Sequence, residues 1–186
     1  ELNLTETEKT KLLELLQTNY QPANRVYRYN FFYDNCATRP RDKIEECISG
    51  EVIYATKDNR YTFRDIIYQS TKGYEWNRFG MDVCLGDKAD RPINYREEMF
   101  SPLYLMEAFK DAIIVDENKI ERPLIDHTTE IVSAKTETVK TFLFTPMRTA
   151  LLLLILIVSA TIYGIRKQKS LWGIDLVLFA LAGLAG

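Results

Sequence analysis

The run Tyr27–Asp42, YRYNFFYDNCATRPRD, decides how the chain is read. From Arg25 to Asp34 the residues alternate, with Tyr27, Tyr29, Phe31 and Tyr33 on one side and Val26, Arg28, Asn30 and Phe32 on the other. That period of two predicts a strand with an aromatic face. Thr38-Arg39-Pro40 then opens a helix, because proline is tolerated in a first turn whose amides lack helical partners, and the helix is expected to run to Ile48, just before Gly50. Asn35 and Cys36 stand at the handover. A thiol placed there faces unpaired amides and the positive end of a helix dipole, with Arg39 and Arg41 close by, surroundings that favour the nucleophilic thiolate. Free cysteines also serve as inert core residues, and spacing alone does not separate the two readings.

Working outward, Thr5-Glu6-Thr7-Glu8 has the form of a capping box, and Leu12, Leu13, Leu15 and Leu16 follow it, so residues 5–18 read as an amphipathic helix. Downstream, 51–56 reads as a short strand, and helices are expected from Thr62 to about Lys72, over 76–85, from Asn94, and from Ser101 to Asp111. Residues 112–115 and 120–125 are expected to pair as a hairpin across 116–119. The soluble part, 1–127, is therefore α+β and mainly helical, and 128–141 is a polar spacer.

Thr149–Ile165, TALLLLILIVSATIYGI, carries no formal charge, and with Phe142–Met147 it is long enough to cross a hydrocarbon core of ~30 Å. Residues 142–165 thus read as a transmembrane helix, 166–170 as a basic loop, and 171–186 as a second membrane helix cut short, which makes the chain part of a longer one. Glu1–Lys11 is polar and shows no leader pattern. The compact cluster Arg166, Lys167, Lys169 places that loop in the cytoplasm and residues 1–140 outside, although Lys135, Lys140 and Arg148 match it in number at the other end. Asp175 is either an acid at the membrane interface or one within a pathway.

The whole chain of 186 residues is 12% aromatic, too rich for general disorder, and its three cysteines do not make a disulfide scaffold. Residues 1–140 hold 20 basic and 25 acidic side chains, the wrong sign for a nucleic-acid partner. No zinc spacing, phosphate loop or cofactor motif is present, so no metal or cofactor is expected. Cys47 and Cys84 read either as a disulfide or as two buried thiols. A thiolate mechanism needs a base, and the one imidazole, His127, is either that base or a surface residue.

Tyr27–Asp42, together with Leu2-Asn3-Leu4, Asp82–Pro92 (DVCLGDKADRP), Met99–Leu103 (MFSPL) and Pro123-Leu124, resembles the Lnb N-terminal periplasmic domain, a family of unknown function common in Bacteroidetes. The resemblance covers residues 1 to about 125 and implies an inner-membrane protein with a periplasmic domain. That family looks related to permuted papain-like (NlpC/P60-type) proteins, which implies a partial papain-like fold with Asn35-Cys36 at the nucleophile position and Arg39 beside it. The Gly-His pair that supplies the base in such proteins lies ahead of the cysteine and is absent here, so an N-terminal half is expected to supply it. The expectation is a cysteine hydrolase or acyltransferase acting on an amide or acyl bond of the envelope, inactive as this piece alone. Amides at the helix start would be its oxyanion donors. The other reading is a non-catalytic envelope module that binds a partner through Tyr27, Tyr29 and Phe31.

Overall fold

A computed structural model describes residues 1–55, 61–133, 142–168 and 172–185. The chain divides into two units. The first comprises Glu1–Lys72 and Asp82–Thr138, the second Gly73–Met81 and Val139–Gly186.

The first unit opens with α1 (Glu6–Tyr20), whose capping box closes as the sequence predicts, with Thr5 and Glu8 each bonding the other's amide. Glu8 does more than cap. It is 1% exposed, and Arg122 donates to both of its oxygens at 2.6 Å while Ser49 N–H donates to Oε1 at 2.9 Å. Next come α2 (Thr38–Cys47) and β1 (Glu51–Ile53), then α3 (Phe63–Ser70), capped by Thr62. α4 (Glu75–Leu85) starts in the second unit and ends in the first. A short α5 (Tyr95–Glu98) and α6 (Pro102–Lys110) lead to the hairpin of β2 (Ile113–Val115) and β3 (Glu121–Pro123).

The hairpin forms where the sequence puts it, and β1 adds antiparallel to its outer side, giving a three-stranded sheet in the order β1-β2-β3. Gly50 makes the join possible. Its φ is +132°, and a Cβ there would lie 2.2 Å from the Val115 carbonyl oxygen. Sheet and helices bury one apolar cluster of Cys47, Ile48, Phe109, Ala112, Ile114 and Leu124, with Leu12 and Leu15 of α1 packed on it. The fold is α+β, and helices outweigh the small sheet.

The expected strand over Arg25–Asp34 does not form. Asn30 and Asp34 exchange backbone hydrogen bonds at 2.9 and 3.0 Å, and Asn30 Oδ1 accepts from the amides of Phe32 and Tyr33, closing a tight turn. The two sides that the alternation predicts are nevertheless kept without a strand. Phe32 turns inward and stacks on Phe63, centroids 4.1 Å apart, with Phe100 edge-on at 5.4 Å, while Tyr29, Phe31 and Tyr33 are exposed.

In the second unit, α7 (Pro146–Lys167) begins at Pro146 because Thr145 caps it, Oγ1 accepting from Arg148 N–H, and proline occupies the first turn. Phe142–Thr145 therefore precede the helix instead of extending it, and Arg166 and Lys167 close its last turn. Its 22 residues reach about 33 Å, enough to span a bilayer core. α8 (Trp172–Ala185) follows, with Asp175 in its first turn, where the helix dipole favours a negative charge. Most of the expected spacer, residues 134–141, lies outside the described residues, as do 169–171.

Candidate functional site

The Asn35–Cys36 turn is built around one carboxamide. Asn35 is 3% exposed, and its Oδ1 accepts from the amides of Ala37 (2.7 Å) and Thr38 (2.9 Å), which caps the start of α2. Its Nδ2 donates to the carbonyls of Phe31 (2.8 Å) and Phe100 (3.0 Å), and its own amide donates to Thr38 Oγ1 at 2.8 Å. Every polar atom of the side chain is thus in use, and the turn is fixed to the loop before it, the helix after it and a segment 65 residues away. Cys36 is exposed on this turn. Nearby Tyr29 has its hydroxyl pKa raised, first by partial burial and then by the neighbouring Cys36 and Tyr27.

Two expectations about the surroundings of Cys36 are corrected. The amides of Ala37 and Thr38, anticipated as open donors toward the thiol and as an oxyanion hole, are taken by Asn35. The two arginines are also committed. Arg39 grips Asp34 with Nε at 2.6 Å and Nη2 at 3.0 Å and lies 3.4 Å over the Tyr27 ring, and the hydrogen bond holds the Asp34 carboxyl below its usual pKa. Arg41 is buried between Asp42 and the Arg96 carbonyl. Arg96 in turn reaches Glu45 at 2.6 and 2.7 Å, fastening α2 to α5.

His127 is exposed a few residues beyond β3, where its Nδ1 lies 2.8 Å from Asp126 and its Nε2 3.5 Å from Glu1. Those are its described partners, whereas Asn35, Cys36 and Arg39 are gathered at the start of α2. All three cysteines are free. Cys47 is buried, its thiol donating to the Ile44 carbonyl and its pKa raised, chiefly by burial, and Cys84 is exposed, so the alternative of a bond between them is not realised. Among the described residues no group of His, Cys, Asp or Glu side chains is placed to hold a metal ion.

Beside the turn a cleft of ≈ 720 Å³ runs between α1 and α2, floored by Leu12, Leu16, Pro40 and Ile44 and edged by Tyr33, Asp34 and Arg39. Cys36 is not one of its walls, and the Asp34–Arg39 pair lies on its edge. Two of the quoted segments meet the turn, and the other two meet each other. Arg91 donates to the Tyr33 hydroxyl at 2.9 Å, Phe100 receives Asn35, and Asn3 bonds the Pro123 and Leu124 carbonyls. The roles of Phe100 and Arg91 are not legible in the sequence, where the one signal is that their segments share the family resemblance of Tyr27–Asp42.

An α+β domain carrying a turn of this kind, joined to a helix long enough to cross a bilayer, defines a membrane-anchored protein. Residues 1–69 match the Lnb N-terminal periplasmic domain, and residues 137–186 match the Lnb transmembrane domain. The chain is thus similar to Lnb-type proteins over both stretches and is a membrane protein with a periplasmic segment, as the resemblance implied. No curated protein and no solved structure matches the chain.

Proposed function

We propose that this is a membrane-anchored envelope enzyme in which Cys36 is the nucleophile of a hydrolase or acyltransferase acting on an amide or acyl bond. The observation that carries the reading is an exposed thiol on a turn immobilised by the buried Asn35 carboxamide. A nucleophile gains most when its own position is fixed before the substrate arrives. In the step proposed, a base takes the thiol proton and Sγ bonds to the carbonyl carbon. The C–N or C–O bond then breaks, the leaving amine or alcohol accepts the proton, and a thioester remains. Water resolves that thioester in a hydrolase, an acceptor amine or hydroxyl in an acyltransferase, and the sulfur is reprotonated. The base is assigned, as the resemblance implies, to a part of the parent protein outside these 186 residues in a papain-like arrangement, with His127, held by Asp126, as the alternative within the chain.

The test is to isolate the full-length protein from growing cells and examine the peptide holding Cys36 by mass spectrometry. A mass addition removed by neutral hydroxylamine, and absent from Cys36→Ser, is expected. An unmodified Cys36, with Cys36→Ala cells indistinguishable from wild type, would remove the enzymatic reading. That outcome would leave a second one, favoured by the exposure of Tyr29 (54%) and Phe31 (39%) beside the turn: a non-catalytic surface that receives an envelope partner through its aromatic rings.

A further inference from the structure

Within the second unit, Trp76 and Phe79 of α4 project on one edge of the helix, three residues apart, their rings edge to face at 6.1 Å. They are 45% and 50% exposed, and Tyr74, just ahead of the helix, is 51% exposed. The polar side chains of the same turn, Glu75 and Arg78, pair with each other at 2.5 Å and form an adjacent stripe. One bond joins this edge to the head of the membrane helix. The Trp76 indole N–H donates to the Phe144 carbonyl at 2.7 Å, one residue before the Thr145 cap of α7. Phe142 and Phe144, centroids 6.0 Å apart, are exposed there too, and Arg148 closes the Leu143 carbonyl at 3.0 Å.

We infer that this edge of α4 is a membrane-interface anchor, seated in the headgroup and upper acyl region of the bilayer at the point where α7 enters it. Three observations agree. α7 is about 33 Å long against a hydrocarbon core of ~30 Å, so with α7 in the bilayer Phe144, and with it Trp76, falls at the boundary. Tryptophan and tyrosine concentrate at that depth, where an apolar ring and a polar tip are both accommodated. The backbone carbonyls of Leu143 and Phe144, which would be costly to strip of water unpaired, already hold donors from Arg148 and Trp76. Arg148 can keep its charge toward the headgroups while its stem lies along the apolar surface. Lipid is therefore the occupant that continues the existing membrane contact of α7, and the inference does not involve Cys36.

The chain has two tryptophans, Trp76 and Trp172, so Trp172→Phe leaves Trp76 as the one reporter. The full chain carrying this change is reconstituted into phosphatidylethanolamine–phosphatidylglycerol vesicles, with or without acyl chains brominated near the headgroup. An anchor in the interface, with its apolar face about 5–10 Å below the headgroups, should lose roughly half its emission to brominated lipid and be shielded from aqueous acrylamide. Full quenching by acrylamide without quenching by brominated lipid would place the edge in water and overturn the inference. Shielding from both quenchers would show the edge covered by protein, which also overturns it.

Discussion

Asn35 satisfies two amides and two carbonyls with one side chain, so its removal strands several buried groups at once. Asn35→Ala should cost about 3 kcal/mol, the upper end for leaving a buried polar group unsatisfied. Asn35→Asp keeps the cap acceptor but turns acceptor oxygens on the Phe31 and Phe100 carbonyls, so it should also destabilise. Cys36→Ala, at an exposed position, should stay within about 0.5 kcal/mol of wild type. Urea unfolding of the three variants checks this, and a Cys36→Ala loss as large as that of Asn35→Ala would contradict the structure. The place of Cys36 at a helix start was legible because Thr38-Arg39-Pro40 is a local signal. The work of Asn35 was not, because its decisive partner, Phe100, is 65 residues away and bonds through backbone, which leaves no mark on residue type.

At the scale of elements, α1 is held by charge as well as by its apolar face. Desolvation pushes the Glu8 carboxyl up, but hydrogen bonds from Ser49, Thr5 and Arg122 outweigh it, and the pKa lies below its ordinary value of 4.5. The folded carboxyl therefore gives up its proton more readily than the unfolded one. Its stabilisation is complete above 4.5 and fades as pH falls through the lower folded value. Glu8→Gln should flatten this acid limb in thermal melts taken across pH, and Glu8→Ala should cost about 3 kcal/mol at neutral pH, the low end for a broken buried pair, since Arg122 can regain water. An acid limb unchanged in Glu8→Gln would assign it to other carboxylates. The helices and the hairpin were readable from caps, proline and glycine, which act within a few residues. The strand over Arg25–Asp34 was misread because alternation measures period alone, and the Asn30 side chain competes locally for the same amides a strand would use. Glu8 was legible as a cap, but its bond to Arg122 needed the whole domain.

For the molecule in its membrane, the three thiols report both topology and packing. A membrane-impermeant maleimide added to spheroplasts should modify Cys36 and Cys84 and reach Cys47 only after urea. Labelling of Cys36 that requires a permeabilised membrane would contradict the periplasmic assignment of residues 1–69. The closure between the two ends of the domain sets an order on its biogenesis. The opening segment is zipped to the last strand, Leu2 beside Ile125, Asn3 on Leu124, and Glu8 on Arg122 across 114 residues of chain. As the polypeptide is threaded outward, α1 emerges ahead of β3, with a carboxylate whose countercharge is still on the other side. Such distant closures are slow, so the domain completes itself only when nearly all of it has been exported. Until then the leucine face of α1, which the finished fold packs on the core, stands open to water.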